Sequence, residues 1–142
     1  MFKCGITGSS GVLGRQLIKN LNFKYFVFNG RIEKKIDLQK WYIKNKFDLV
    51  IHLAAIVPTY KVDKEYRKAI NVNFIGTKNL VDIINSSENK PKWFFFSSTS
   101  HVYAFSKKKI KENSKTIPST KYGLTKLKAE KYISINLKKN KI

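Results

Sequence analysis

Two periodicities alternate along the chain. Short, nearly continuous apolar runs read as strands: "FKCGIT" at Phe2 to Thr7, "KYFVFN" at Lys24 to Asn29, "DLVIHLAA" at Asp48 to Ala55 and "KWFFFSS" at Lys92 to Ser98. Between them apolar residues recur at helical spacing, first as Val12, Leu13, Leu17, Ile18 and Leu21. A longer helix is predicted from about Lys64 to Asn85, with Ala69, Val72, Leu80, Ile83 and Ile84 inward, and "SSENKP" breaks it. "DLQKWYIKNK" predicts a short helix with Asp37 as its N-cap, and a last helix is predicted from about Ser119 to Leu137. From His101 to Pro118 the text turns polar and lysine-rich, as a long surface loop would. Alternating strand and helix, with strands that are apolar throughout, predicts a parallel sheet covered by helices on both faces. The pattern is that of one doubly wound α/β domain over residues 1–142.

Length agrees, since 142 residues suit a single layered core but are short for a cofactor domain plus a substrate domain. No apolar run approaches the eighteen or so residues of a membrane span, so no membrane association is expected. The amino terminus runs straight into a strand, without the charged, apolar and cleavable segments of a secretion signal. The single Cys4 allows no internal disulfide and reads as a small buried hydrophobe in a reducing compartment, so a cytoplasmic location is expected.

Charge changes the picture more. Against 9 acidic residues stand 29 basic ones, a formal net charge of +20. Such a balance would hold phosphates or nucleic acid by electrostatics alone. Lysine, however, is accompanied throughout by asparagine and isoleucine, while arginine occurs only at Arg15, Arg31 and Arg67, a bias that a genome can impose. The lysines scatter, are densest from Lys107 to Lys115, and are not interleaved with aromatics as a base-stacking face would be. Nucleic acid is not the expected partner.

The candidate chemistry begins in "GITGSSGVLGRQL", where Gly8, Gly11 and Gly14 follow the first strand and open the first helix. In a doubly wound sheet this turn is the usual phosphate site. Gly8 would permit the tight turn, Gly11 the close approach of a pyrophosphate and Gly14 the packing of helix on strand. The helix N-terminus would offer its unpaired N–H groups and positive dipole end. Further along, Tyr122 and Lys126 in "YGLTK" lie four apart on one helix face, about 6 Å along the axis. An ammonium about 4 Å from a phenol, at an effective dielectric near 20, would favour the phenolate by about 4 kcal/mol, bringing a pKa near 10 down to near 7. A phenol so tuned can exchange a proton with a substrate hydroxyl. No cluster has metal-ligand spacing.

Taken in order, T-G-x-x-G-x-x-G, "DL" at Asp37 and Leu38, "DLVIHLAA", "NVNFIGTKNL" at Asn71 to Leu80, "FFFSSTSHVY" at Phe94 to Tyr103 and "YGLTK" resemble the extended short-chain dehydrogenase/reductases, the NAD(P)-dependent epimerases, dehydratases and reductases of nucleotide sugars. The resemblance spans essentially the whole chain and implies a Rossmann-like fold. It makes Tyr122 the acid/base, Lys126 its electrostatic partner and a hydrogen bonder to the cofactor ribose, and Thr99, beside Ser98, the substrate-orienting hydroxyl. It runs the cofactor past Leu53, Ala54 and Ala55, counts Ser10 and Val12 of the glycine turn among its contacts, and gives Asn73 the task of propping the active-site loop. Asp37 and Leu38 match the segment that contacts the adenine, although Asp37 reads equally as an N-cap. His52, within an apolar strand, reads as a satisfied core residue, and His101 takes no role from the resemblance. After the second strand "FNGRI" offers Asn29 and Arg31 instead of an acidic residue, which leans toward NADP, with Glu33 opposing.

Relatives of this kind continue past the Tyr-x-x-x-Lys helix with further strands and a lobe that grips the nucleotide sugar, so this chain is expected to be a truncated cofactor-binding portion. The resemblance also implies a homodimer through the long helix and the Tyr-bearing helix. Two functions remain open: an NAD(P)-dependent enzyme acting on a nucleotide-linked sugar by hydride transfer, and a non-catalytic module that holds NAD(P) or a polyanion.

Overall fold

The computed structural model describes residues 1–137. Four strands, β1 (Cys4–Thr7), β2 (Tyr25–Phe28), β3 (Leu49–His52) and β4 (Trp93–Phe96), form one parallel sheet in the order β2-β1-β3-β4. Among the described residues six α-helices accompany them: α1 (Val12–Asn20), α2 (Lys35–Asn45), α3 (Thr59–Lys64), α4 (Tyr66–Ile70), α5 (Gly76–Ser86) and α6 (Lys121–Asn136). The register sets Thr7 beside Phe28 and His52, and His52 beside Phe96, so all four strands end level at their carboxyl side.

The larger core lies on the face covered by α2, α5 and α6, where Phe28 and Val50 of the sheet meet Leu38 and Tyr42 of α2 and Leu80, Val81, Ile83 and Ile84 of α5. Each such aliphatic side chain, once buried, contributes about 1.5–3 kcal/mol. Asp82 ties α5 to α6 by accepting from the Tyr132 hydroxyl, and it also pairs with Lys78. On the opposite face Cys4, Ile6 and Ile51 pack against Leu17 and Ile18 of α1. Burial pushes the Cys4 thiol up to about 11, which leaves it inert.

Sheet, helices on both faces and the two-sided core are as the pattern predicts, but four local readings need correcting. Asp37 is not an N-cap: α2 starts at Lys35 behind a turn closed by Lys34 N–H to Arg31 O, which leaves Asp37 exposed in the first helical turn. The long helix is preceded by α3, which starts after Pro58, breaks at Glu65 and resumes as α4. Between α4 and α5 the chain widens into a π-helical turn, Asn71–Ile75. Val12 and Leu13 are exposed at the mouth of α1, so only the later apolar residues of that helix reach the core. Finally β4 is an edge strand whose residues alternate. Phe94 packs into the larger core, whereas Trp93 (68% exposed) and Phe95 (53%) lie on the α1 side, where α1 does not cover them.

Candidate functional site

A cleft of about 1360 Å³ opens at the carboxyl ends of the strands. Its walls come from five stretches: the glycine turn and start of α1 from Gly8 to Gln16, the end of β2 from Phe28 to Glu33, the segment from Leu53 to Pro58 after β3, Lys61, Glu65, Lys68 and Val72 along α3, α4 and the turn that follows, and Ser97 and Ser98 after β4. Tyr122, at the start of α6, joins these walls.

The glycine turn is built for close approach. Gly8 has φ +75°, and a Cβ there would stand 2.5 Å from the Ala54 nitrogen. At Gly14 a Cβ would stand 2.4 Å from the Gly8 carbonyl oxygen, so helix and strand can meet only over a bare Cα. Gly11 is exposed and forms the N-cap of α1 without a side-chain cap, which leaves the first-turn amides facing the cleft mouth unobstructed. These residues fit the diphosphate of a dinucleotide, which needs bare backbone and a free helix N-terminus.

The segment after β3 is held from beneath. Asn73, fully buried in the π-helical turn, accepts from Ile56 N–H at 2.7 Å and donates to the Ile56 carbonyl at 3.0 Å and to Thr125 of α6 at 3.0 Å. Asn73 therefore braces the cleft wall formed by Ala54, Ala55 and Ile56, and it does not itself line the cleft. One strand back, His52 joins Thr7 at 2.6 Å through Nδ1 and Thr77 at 2.8 Å through Nε2. Burial, and after it the charge of Lys126, lowers His52 to about 3, so the ring is neutral.

At the far end of the cleft Tyr122 is 7% exposed. Burial raises its phenol above the ordinary value, and a hydrogen bond with Thr99 works in the opposite direction. Thr99 also accepts from His101 N–H at 3.2 Å as the cap of the short 3-10 turn Ser100–Val102, and the His101 ring meets Tyr122 edge-on at 5.8 Å. Ser98 Oγ is buried in a cleft wall without a hydrogen-bond partner among the described residues, the condition of a hydroxyl set to meet a ligand. Lys126 is 2% exposed, and its Nζ sits 4.0 Å from the centre of the Phe96 ring. Burial brings it down to about 8, with Glu130 working in the opposite direction.

The structure thus brings Gly8, Ser10, Gly11, Val12, Gly14, Arg31, Leu53, Ala54, Ala55, Ser98 and Tyr122 to one cleft, with Thr99 bonded to Tyr122. It does not bring Asp37 and Leu38 there. Leu38 is fully buried in the α2 core and Asp37 points to solvent, because α2 begins earlier than its sequence suggests; Arg31, Ile32 and Glu33 line the cleft instead. The expected lowering of Tyr122 by Lys126 is also corrected: the ammonium rests over Phe96 of β4, and the group that lowers the phenol is Thr99. Pattern reading missed Ile32, Ile56 and Pro58 as cleft residues; the strand ends before each of them were the available signal. Among the described residues no group of His, Cys, Asp and Glu could hold a metal ion, and no helix is long and apolar enough to cross a membrane.

Comparison with known proteins adds to this geometry. The sequence model of the NAD dependent epimerase/dehydratase family matches residues 4–140. Over 117 residues, 82% of this chain and 32% of the relative, the sequence is 33% identical to the bifunctional UDP-glucose 4-epimerase and UDP-xylose 4-epimerase 1 of Pisum sativum. Among solved structures, dTDP-4-dehydrorhamnose reductase of Bacillus anthracis in complex with NADP superposes with a TM-score of 0.87 at 25% identity, over 96% of this chain and 50% of that one. The Thermus thermophilus UDP-glucose 4-epimerase complex with NAD shares the fold, with a TM-score of 0.87 at 17% identity over 97% of this chain and 51% of the other. The chain spans about half the length of these two solved structures and about a third of the pea protein. Matched along nearly all its length and folded as these enzymes are, the chain belongs to the NAD-dependent epimerase/dehydratase family.

Proposed function

We propose that the cleft binds a nicotinamide dinucleotide and that Tyr122 acts as acid/base toward a nucleotide-linked sugar, for which the nicotinamide would be the hydride partner. The observation that carries this reading is that one cleft holds both the bare-backbone mouth of α1 and the Tyr122 phenol. A nicotinamide bound there supplies the hydride acceptor or donor. This chain's own residues do the rest. Gly8, Gly11 and the first turn of α1 receive the diphosphate; Ala54 and Ala55, braced by Asn73, form the floor. Thr99 holds the Tyr122 hydroxyl and favours its phenolate, so a proton can leave for, or return from, a sugar oxygen. Ser98 offers its free hydroxyl to the same substrate. Lys126, seated over Phe96, would donate to the cofactor ribose.

For the choice of cofactor, Arg31 at the cleft end has a side chain 68% exposed, and its guanidinium contacts Glu33 at 2.7 Å. Burial acts to raise Glu33, but a backbone hydrogen bond and the Arg31 guanidinium outweigh it and hold the carboxylate ionised. With Glu33 so occupied, Arg31 remains the outward group, which favours the extra phosphate of NADP.

Fluorescence titration with NADPH and NADH tests the reading. Saturable binding is expected, tighter for NADPH, and the difference should vanish in Arg31→Ala. Tyr122→Phe should keep dinucleotide affinity while turnover of nucleotide sugars drops about 100- to 10,000-fold. A protein that binds neither dinucleotide has a different function.

A further inference from the structure

Lys126 is a nearly buried cation with an unusual partner. Among the described residues its Nζ makes no ion pair, and it sits 4.0 Å above the centre of the Phe96 ring, within the range of a direct cation–π contact. Phe96 in turn is fixed from the side. It is the register partner of His52, and the two rings stack with centres 5.6 Å apart and planes 28° apart. His52 is itself pinned between Thr7 and Thr77, so the chain of contacts runs from rigid strand ends to the lysine.

We propose that Phe96 is a positioning residue, whose ring, held by the His52 stack, seats the Lys126 ammonium beneath the cleft and presents it to the dinucleotide. The proposal rests on the functional reading above for what the ammonium meets, but not for the seat itself. A ring suits this task better than a carboxylate. It holds the cation without neutralising it and makes no hydrogen bond that a ribose would have to displace. The neutrality of His52 agrees with this, because a second cation beside the first would weaken the seat, and Lys126, though burial lowers it to about 8, still carries its proton at neutral pH.

The test reads the seat and its use separately. A cation over an aromatic face lies in the ring's shielding zone, so the Lys126 ε-methylene protons, assigned by their loss in Lys126→Arg, should resonate upfield of the other lysines. In Phe96→Leu they should return to the ordinary lysine position, and NADPH affinity should weaken about tenfold, whereas Phe96→Tyr should restore both to within about twofold of the original. An ordinary lysine shift in the unaltered protein overturns the proposal. So does a folded Phe96→Leu that binds NADPH as tightly as the original. Should Phe96→Leu fail to fold, the unaltered protein and Phe96→Tyr still decide the matter by the shift. An upfield shift in a protein that binds no dinucleotide supports the seat and removes the functional reading.

Discussion

His52 shows how much one buried side chain can determine. Thr77 donates its hydroxyl proton to the Asn73 carbonyl at 2.8 Å, so toward His52 it must accept, and the imidazole carries its proton on Nε2. Nδ1 is then the acceptor for the Thr7 hydroxyl, whose oxygen receives Ala54 N–H at 3.4 Å. Every proton in this chain of bonds has a defined direction, and a second proton on the ring would turn the Thr7 hydroxyl from donor to acceptor. Burial, and after it the charge of Lys126, holds His52 at about 3 in the folded protein against an ordinary 6.5. Because the unfolded chain takes up the proton first, His52's contribution is fully present above pH 6.5 and is lost as pH falls from there toward 3. The slope from this one group should reach about 1.4 kcal/mol per pH unit. Urea unfolding between pH 7 and pH 5 checks it: the unaltered protein should lose stability over that interval, and His52→Asn, less stable throughout, should show a flatter dependence. An equal slope in both would mean that the acid sensitivity comes from elsewhere.

At the scale of elements, the cleft wall is a loop held by a helix defect. The π-helical turn widens the helix around Asn73, whose amide completes both backbone bonds of Ile56 as a neighbouring strand would. Asn73→Ala should cost about 1–3 kcal/mol, since it leaves the Ile56 N–H and C=O without partners. Asn73→Asp, which keeps the acceptor but sets an anion against the Ile56 carbonyl, should also weaken dinucleotide binding; denaturation midpoints and titration measure the two effects. This device was half legible in the sequence. An amide inside an apolar helix signals a bonded partner, and Asn73 could be singled out, but a π-turn has no periodicity of its own in so short a stretch. The glycine turn and the Tyr122–Lys126 spacing were legible because turn geometry and helical pitch act locally. Asp37 misled because a capping residue two positions inside a helix looks the same as one at its start, and only the Arg31–Lys34 turn decides between them. The seat of Lys126 lay beyond any pattern: spacing set it near Tyr122, but the nearest aromatic face belongs to a strand 30 residues away in sequence.

Across the whole molecule the excess charge and the cleft are separate features. Of the three basic residues that line the cleft, Arg31 pairs with Glu33 and Lys68 with Glu65, on which Lys61 also acts through its charge, while the lysines from Lys107 to Lys115 are all exposed on the loop before α6, outside the cleft walls. A dinucleotide held mainly by backbone and shape, with Arg31 the one charge proposed to meet its phosphate, should therefore depend only weakly on salt, although the protein carries +20 overall. A polyanion held by the scattered lysines should behave otherwise. A single strand that engages about five phosphates would lose affinity roughly as the 3.5 power of salt, or about 500-fold for a sixfold rise. Parallel titrations with NADPH and with a short single-stranded oligonucleotide, from about 50 to about 300 mM salt, separate the two. We expect NADPH affinity to change by less than about tenfold while oligonucleotide binding collapses, and we expect Gly11→Asp, which sets a carboxylate at the mouth of α1, to abolish the first without touching the second. If both ligands fade together with salt and both ignore Gly11→Asp, the lysine surface holds them, and the cleft is not a dinucleotide site.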